Sequence, residues 1–308
     1  MPHLPILNRR QFMQASASLA AGLLLPGGVA AANQTIRKAI PSSGELLPVI
    51  GMGTSRTFET GGDADMLARL GEVIQAFFDH GGGMIDSSPM YGSAQQVIGQ
   101  LLPTINGEKN LFAATKVWTR GRESGLRQME ESRRLWGVER FDLMQIHNLL
   151  DWETHLESLL QMKADGTIRY VGITTSHGRD HNALERILQQ HPFDFVQLTY
   201  NLGNREAESR LLPIAQERGI GVIVNRPFQR GALFRKVKGK PVPAWAEEFG
   251  CASWGQFFLK FAVSHPAVTC AIPATTKVKH MRDNMQAGWG QLPDPEQRAR
   301  MITYFASL

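Results

Sequence analysis

The chain has 308 residues, 43% hydrophobic and 20% charged, enough apolar content to bury one large core and too much for a disordered chain. Of the net charge of +5, Arg9 and Arg10 supply two, and the remaining basic residues are interleaved with acids, as between Arg120 and Arg140, which excludes a nucleic-acid footprint. With only Cys251 and Cys270 present, neither a disulfide framework nor a zinc site is expected, and no metal is assigned.

Residues 1–32 read as a signal peptide of the twin-arginine type. Asn8-Arg-Arg-Gln-Phe12 precedes a weakly hydrophobic Ala/Leu/Gly stretch, and Val29-Ala-Ala-Ala32 offers a cleavage site after Ala31 or Ala32. The uncharged run from Gln11 to Ile36 is long enough to span a bilayer, but Gln14, Ser16, Ser18, Pro26, Gly27 and Gly28 dilute it below a stable anchor. The expectation is export through the twin-arginine machinery, a periplasmic location and a single mature domain over residues 33–308.

After the leader, Ile36–Ile40 and Pro48–Met52 around Ser42-Ser-Gly-Glu45 predict a hairpin. Eight apolar strand runs then follow, near Val49–Gly53, Met84–Ser88, Leu111–Val117, Asp142–His147, Tyr170–Thr174, Phe195–Tyr200, Gly221–Asn225 and Val268–Pro273. Helical patterns alternate with them, as over Ala64–His80, Arg122–Trp136 and Arg205–Arg218. Eight such units without a repeat, linker or low-complexity tract predict one (β/α)8 TIM barrel preceded by a short hairpin. Cys251 falls in a helix-like stretch and Cys270 in a buried-strand pattern, which reads as two separately buried thiols.

In such a barrel catalytic groups come from the carboxyl ends of strands and the loops after them. Asp86, Lys116 and His147 stand at the ends of the second, third and fourth strand runs, and Tyr91 lies in the loop after the second. Taken singly, each has an ordinary reading: a helix cap, a solvated strand end, a core histidine, a rim aromatic. Jointly they make a proton-transfer set. A phenol is a poor acid at neutral pH, but an adjacent ammonium stabilises its phenolate and a carboxylate keeps that ammonium charged. Tyr91 is then the acid, Lys116 its tuner and Asp86 the support, while His147 orients a substrate carbonyl.

The motifs Ile85-Asp-Ser-Ser-Pro-Met-Tyr-Gly92, Ala114-Thr-Lys-Val117, Phe141–Asn148, Gly166–Ile173, Gln197–Asn201 and Ile272-Pro-Ala-Thr-Thr-Lys277 carry a resemblance to the aldo-keto reductase superfamily, from about Ile36 to about Gly288. The resemblance implies hydride transfer from NADP(H), with NAD(H) the lesser candidate, to an aldehyde or ketone as small-molecule substrate. Ile272–Lys277 leads into a helix whose first turn offers unpaired N–H groups, and Thr275 or Thr276 can cap it and contact phosphate. Lys277, Lys279, His280 and Arg282 load cations onto that positive helix end, which calls for an anionic partner. By resemblance, Lys277 and His280 face the adenosine 2′-phosphate and Asn284 the adenine.

Two positions depart from the family pattern. Thr174 and Thr175 stand where Ser-Asn usually holds the nicotinamide amide, leaving Gln197 as the one full match of that trio. Asn225 replaces the aromatic that usually stacks on the nicotinamide, while the neighbouring Arg226 is assigned to the pyrophosphate. Substrate contacts at the barrel mouth are Arg56, Met90, Trp118 and Phe228. A last helical segment beginning near Pro295 leaves no long carboxyl-terminal specificity loop before Leu308, which predicts an open pocket. The rival from another class is a cofactor-binding barrel with a sensing or scaffold role and little turnover. A metal-dependent hydrolase lacks its ligand cluster around His147.

Overall fold

Local hydrogen bonds close the first turn early. In the computed structural model, which describes residues 35–308, Gly44 N–H donates to Ile40 O and Ile40 N–H to Glu45 O, both at 2.8 Å, with Gly44 in the left-handed region at φ 77°. Antiparallel pairing of β1 (Arg37–Ala39) therefore starts at once on β2 (Leu46–Pro48), with Arg37 opposite Pro48. The predicted second arm, Pro48–Met52, is corrected: residues from Val49 onward belong to the barrel, where Ala271 N–H donates to Val49 O and Gly51 N–H to Ala271 O. The leader read over residues 1–32 lies outside the described residues.

Eight parallel strands follow in one sheet: β3 (Met52–Gly53), β4 (Met84–Asp86), β5 (Phe112–Val117), β6 (Phe141–Ile146), β7 (Ile168–Thr174), β8 (Phe195–Thr199), β9 (Gly221–Asn225) and β10 (Val268–Ala271). Each pairs with its neighbours in the chain. A bridge from Ile50 to Ala271 and the bond from Gly53 N–H to Pro273 O bring the first and last strands together. The result is the (β/α)8 barrel expected from the alternation of patterns.

The strands form because apolar, largely β-branched and aromatic runs are buried on both faces, inward against each other and outward against helices. Inside the ring, Phe112 lies against Tyr170 with ring centroids 5.8 Å apart, and both meet Phe195 edge-on. Ile40 and Leu47 of the hairpin pack into the same inner cluster, so the hairpin plugs the amino-terminal end of the barrel and leaves the other end open.

Helix Arg122–Trp136 matches its predicted span, and Ala64–Asp79 differs from the expectation by one residue. Arg205–Arg218 does not form one helix. A 3-10 turn over Glu206–Ser209 is followed by a new helix, Leu211–Glu217, because Pro213 has no N–H to give and is accommodated only in a first turn. Cys251 is likewise not helical: left-handed Gly250, at φ 71°, ends the preceding 3-10 turn, and the next helix starts at Trp254 with Ser253 as its cap. Both thiols are free and buried. Among the described residues no helix is long and apolar enough to cross a membrane.

Candidate active site

Parallel register brings polar residues of four strands to one point. Asp86 ends β4, Lys116 and Gln145 face each other across β5 and β6, and Gln197 lies on β8. The Asp86 carboxylate accepts from Lys116 Nζ at 2.5 Å through Oδ2, and from the Gln145 and Gln197 amides, each at 2.9 Å, through Oδ1. Lys116 Nζ also donates to Ser87 O at 2.7 Å. The Lys116 side chain is fully buried, so the charged pair survives only because every close partner is present. Gly172 on β7 makes room: a Cβ there would stand 2.8 Å from Gln145 Cγ.

Tyr91 sits in the loop after β4, its N–H donating to Ser88 O at 3.0 Å. Its ring lies 5.1 Å from Lys116 Nζ and meets the His147 ring edge-on at 5.7 Å. Burial drives the phenol pKa above its ordinary value; Lys116 opposes this and Asp86 adds to it, so the net shift is upward and the phenol is protonated at neutral pH. For Lys116, burial acts downward, but Asp86 and Tyr91 outweigh it and the ammonium is held above its ordinary value.

His147, just past β6, is buried. Burial first and the Lys116 charge second depress its pKa to about 2, so the ring is neutral throughout the working range. Ser88 Oγ accepts Met90 N–H at 3.2 Å and lies 2.8 Å from His147 Nδ1. The Ser88 O–H can donate to Nδ1, and the ring proton then sits on Nε2.

These residues line the floor of a cavity of about 910 Å³ at the carboxyl end of the strands. Asp86, Tyr91 and His147 reach it directly, with Lys116 buried behind Asp86. Of the positions assigned to cofactor, Thr174, Thr175, Gln197, Arg226, Thr275, His280 and Asn284 line it, whereas Thr276 and Lys277 do not. Of the substrate positions, Arg56, Met90 and Phe228 line it and Trp118 does not. The Trp118 indole is 41% exposed, with its ring 6.4 Å from that of His147.

Among the described residues, several polar groups in this cavity lack partners. Thr175 Oγ1 is buried and unpaired, as is Thr57 Oγ1 on another wall. Helix Val278–Gln286 opens without a side-chain cap, its cap residue being Lys277. The expected threonine cap is thus corrected: the chain is still extended at Lys277, and Thr275 Oγ1 accepts from Lys277 N–H at 3.1 Å, one step too early for the first turn. The first-turn N–H groups therefore stay available for an anion beside His280 and Asn284. An orphaned hydroxyl and the start of an uncapped helix at one cavity fit a dinucleotide with an amide head and phosphates. Asn225 is not free to contact a ring: its Nδ2 donates to Thr175 O at 2.8 Å and its Oδ1 accepts from Thr199 Oγ1 at 2.7 Å.

Sequence reasoning missed Ser88 and Gln145, which brace His147 and Asp86. A polar residue inside the buried run Asp142–His147 was the available signal for Gln145. Arg179, Arg230 and His177 at the rim were also missed. They sit in loops that periodicity does not read. The neutral state of His147 is directly measurable. Side-chain nitrogen NMR across pH 5–8 should show no titration of His147 and a proton on Nε2, and Ser88→Ala should weaken that tautomer preference; an imidazole that titrates near 6.5 overturns the assignment.

Residues 49–301 match the aldo/keto reductase family. A methylglyoxal reductase of Escherichia coli is 26% identical over 255 residues, covering 80% of this chain and 88% of the relative. Among solved structures, an aldo-keto reductase of Bacillus halodurans in its holo form superposes with a TM-score of 0.73 at 19% identity, covering 88% of this chain and 96% of that one. An aldo-keto reductase of Klebsiella pneumoniae in complex with NADP and acetate gives 0.70 at 24% identity, covering 88% and 95%.

Proposed function

The chain belongs to the aldo/keto reductase family, and from that premise we propose that it reduces an aldehyde or ketone to the alcohol with Tyr91 as proton donor. The observation that carries the reading is the neutral Tyr91 phenol and neutral His147 imidazole sharing one cavity floor with the buried Lys116–Asp86 pair. A reduced nicotinamide cofactor, when bound, supplies the hydride. His147 Nε2–H holds the carbonyl oxygen of the substrate, and Tyr91 Oη–H gives its proton to that oxygen as negative charge develops there. The Lys116 ammonium stabilises the phenolate left behind, while Gln145 and Gln197 keep the Asp86 carboxylate aimed at Lys116.

Tyr91→Phe removes one oxygen and should lower turnover by roughly two to four decades with cofactor affinity almost unchanged. Steady-state kinetics and fluorescence titration measure the two quantities. Near-wild-type turnover would falsify the donor role, and a wild type that binds cofactor without consuming it would favour the sensing or scaffold reading.

NADPH is the cofactor this chain's residues support. Thr175 and Gln197 would hold the carboxamide, Arg226 the diphosphate, the uncapped helix end with Thr275 and Thr276 the phosphates, and Asn284 the adenine. Lys277 and His280 would face the 2′-phosphate; Lys277 reaches it from outside the cavity lining. Solved relatives from Klebsiella pneumoniae hold NADP or NADPH in the same fold. NADPH should bind more tightly than NADH, the preference should shrink with salt, and Lys277→Ala should lose NADPH affinity selectively. Equal affinities in the wild type would remove the phosphate-recognition reading.

Twin-arginine export is part of the proposal and rests on Asn8–Phe12 and Val29–Ala32. Replacing Arg9 and Arg10 by lysine keeps their charge but removes the planar donor fork. Cell fractionation should find the double variant unprocessed in the cytoplasm, and processed periplasmic protein would sink the assignment.

A further inference from the structure

Four guanidinium groups share the rim of the cavity: Arg56 in the loop after β3, Arg179 in the loop after β7, and Arg226 and Arg230 in the loop after β9. Among the described residues, none of the four has a carboxylate partner within 4.0 Å. The two carboxylates that line the cavity are committed elsewhere, Asp86 to Lys116 and Asp283 to Ser253 Oγ at 2.8 Å and Gln256 Nε2 at 2.7 Å. His177 adds no negative charge. It accepts from Arg226 Nη1 at 2.5 Å through Nε2 and lies 2.6 Å from Ser176 Oγ through Nδ1, while burial and then the four arginines disfavour its protonation. Such a cluster repels itself, and an oxyanion bound among the arginines would relieve that repulsion.

Backbone strain marks the same place. Arg56, His177, Arg226 and Arg230 all adopt left-handed conformations, with φ of 63°, 68°, 51° and 53°. Each is a conformation that a residue with a Cβ disfavours. Strain gathered on residues that face one cavity is what a binding site leaves behind when loops are held for a ligand.

The topology divides the four into two pairs. The proton-transfer residues stand on β4, β5 and β6 or in the loops after them, and β3 and β7 are the neighbouring strands on either side. Arg56 and Arg179 thus flank that group from both sides. The loop that carries Arg56 is tied to it: Thr54 Oγ1 donates to Asp86 O at 2.9 Å, and Glu59 packs on the turn after Tyr91, where a Cβ on Gly92 would stand 3.1 Å from Glu59 Cδ. Arg226 and Arg230 share the loop after β9, beside β10 and the uncapped helix that follows it. A dinucleotide diphosphate brings about two negative charges, enough for that second pair and not for all four.

We propose that the substrate is a carbonyl compound carrying a separate oxyanion group, a carboxylate or phosphate, and that Arg56 and Arg179 bind this group while Tyr91 and His147 address the carbonyl oxygen. The proposal rests on the reductase reading and adds the substrate class. The oxyanion takes no part in the chemistry: the carbonyl carbon gains hydride from the reduced nicotinamide, which is oxidised, the oxygen gains the Tyr91 proton, and no group leaves. Its binding fixes the distance between anion and carbonyl, so one end of the molecule selects the substrate and the other reacts.

Binding to the NADP⁺-loaded protein tests this independently of turnover. Calorimetry with 4-hydroxybutanoate, glycerol 3-phosphate and neutral 1,4-butanediol should show at least one anion binding tenfold or more tightly than the diol. Arg56→Ala and Arg179→Ala should each remove about tenfold of that affinity and leave NADP⁺ affinity within about twofold. Arg226→Ala should do the reverse, and Arg218→Ala, at the far end of the barrel, should change neither. Equal binding of the diol and both anions overturns the proposal, as does a loss of NADP⁺ affinity in Arg56→Ala matching that of Arg226→Ala, which would assign all four guanidiniums to the diphosphate. Turnover of the matching aldehydes separates the two readings: anion binding without turnover supports the oxyanion site and counts against the reductase, whereas turnover of neutral aldehydes without anion binding does the opposite.

Discussion

The Asp86 carboxylate is the point on which the rest of the catalytic end depends. It belongs to β4, receives the Lys116 ammonium from β5, and accepts amide bonds from Gln145 on β6 and Gln197 on β8. One buried anion therefore holds three other strands at a common height. Removing Lys116 leaves buried charge uncompensated, a loss of about 3–5 kcal/mol when a buried ion pair is broken, and removing either glutamine strips a hydrogen bond from a buried carboxylate. The barrel tolerates this risk because the inner aromatic cluster of Phe112, Tyr170 and Phe195 and the hairpin plug carry the packing at the opposite end. Stability and chemistry are thus separated along the barrel axis.

The loops above that carboxylate are built by a different rule. Strand ends are set by ladder hydrogen bonds, but Arg56, His177, Arg226 and Arg230 are held in left-handed backbone that their side chains disfavour. Their surroundings hold them there. Asn201 Nδ2 donates to Arg226 O at 3.0 Å, and Thr199 Oγ1 accepts from His177 N–H at 3.0 Å, so residues at and just past the end of β8 fix loops after β7 and β9 at once. Asn225 extends the brace to Thr175. An asparagine in that place gains a tie across three strand ends.

Much of this was legible in the sequence because the barrel writes its signal in alternation. Apolar runs bounded by polar residues located all eight strands, and Asp86, Tyr91, Lys116 and His147 declared themselves as polar residues at the ends of buried runs or in the loop beyond. What periodicity cannot read is register and backbone handedness. Gln145 is one more polar letter in a strand until pairing sets it opposite Lys116, and Ser88 is part of a turn until its hydroxyl meets His147. The helix expected over Arg205–Arg218 failed for a local reason, Pro213, that a closer look at first-turn rules would have supplied. Of the rim arginines, Arg56 and Arg226 were read from the sequence, whereas Arg179 and Arg230 sit in loops that periodicity does not read.

Burial and one cation together set the protonation of two groups that face the cavity. The Lys116 charge pulls the Tyr91 phenol toward ionisation while burial and Asp86 push it the other way, which leaves a protonated phenol beside a cation that favours its phenolate. The same charge, added to burial, bars a second proton from His147. In the proposed reduction, a protonated imidazole at that position would compete with Tyr91 as proton donor and would hold the developing alkoxide as an ion pair. A neutral one with its proton on Nε2 can only donate a hydrogen bond. Because the Lys116 charge acts on both groups beside burial, a change that moves Lys116 alters the protonation of Tyr91 and His147 together, and the Asp86 network that fixes Lys116 therefore bears on both.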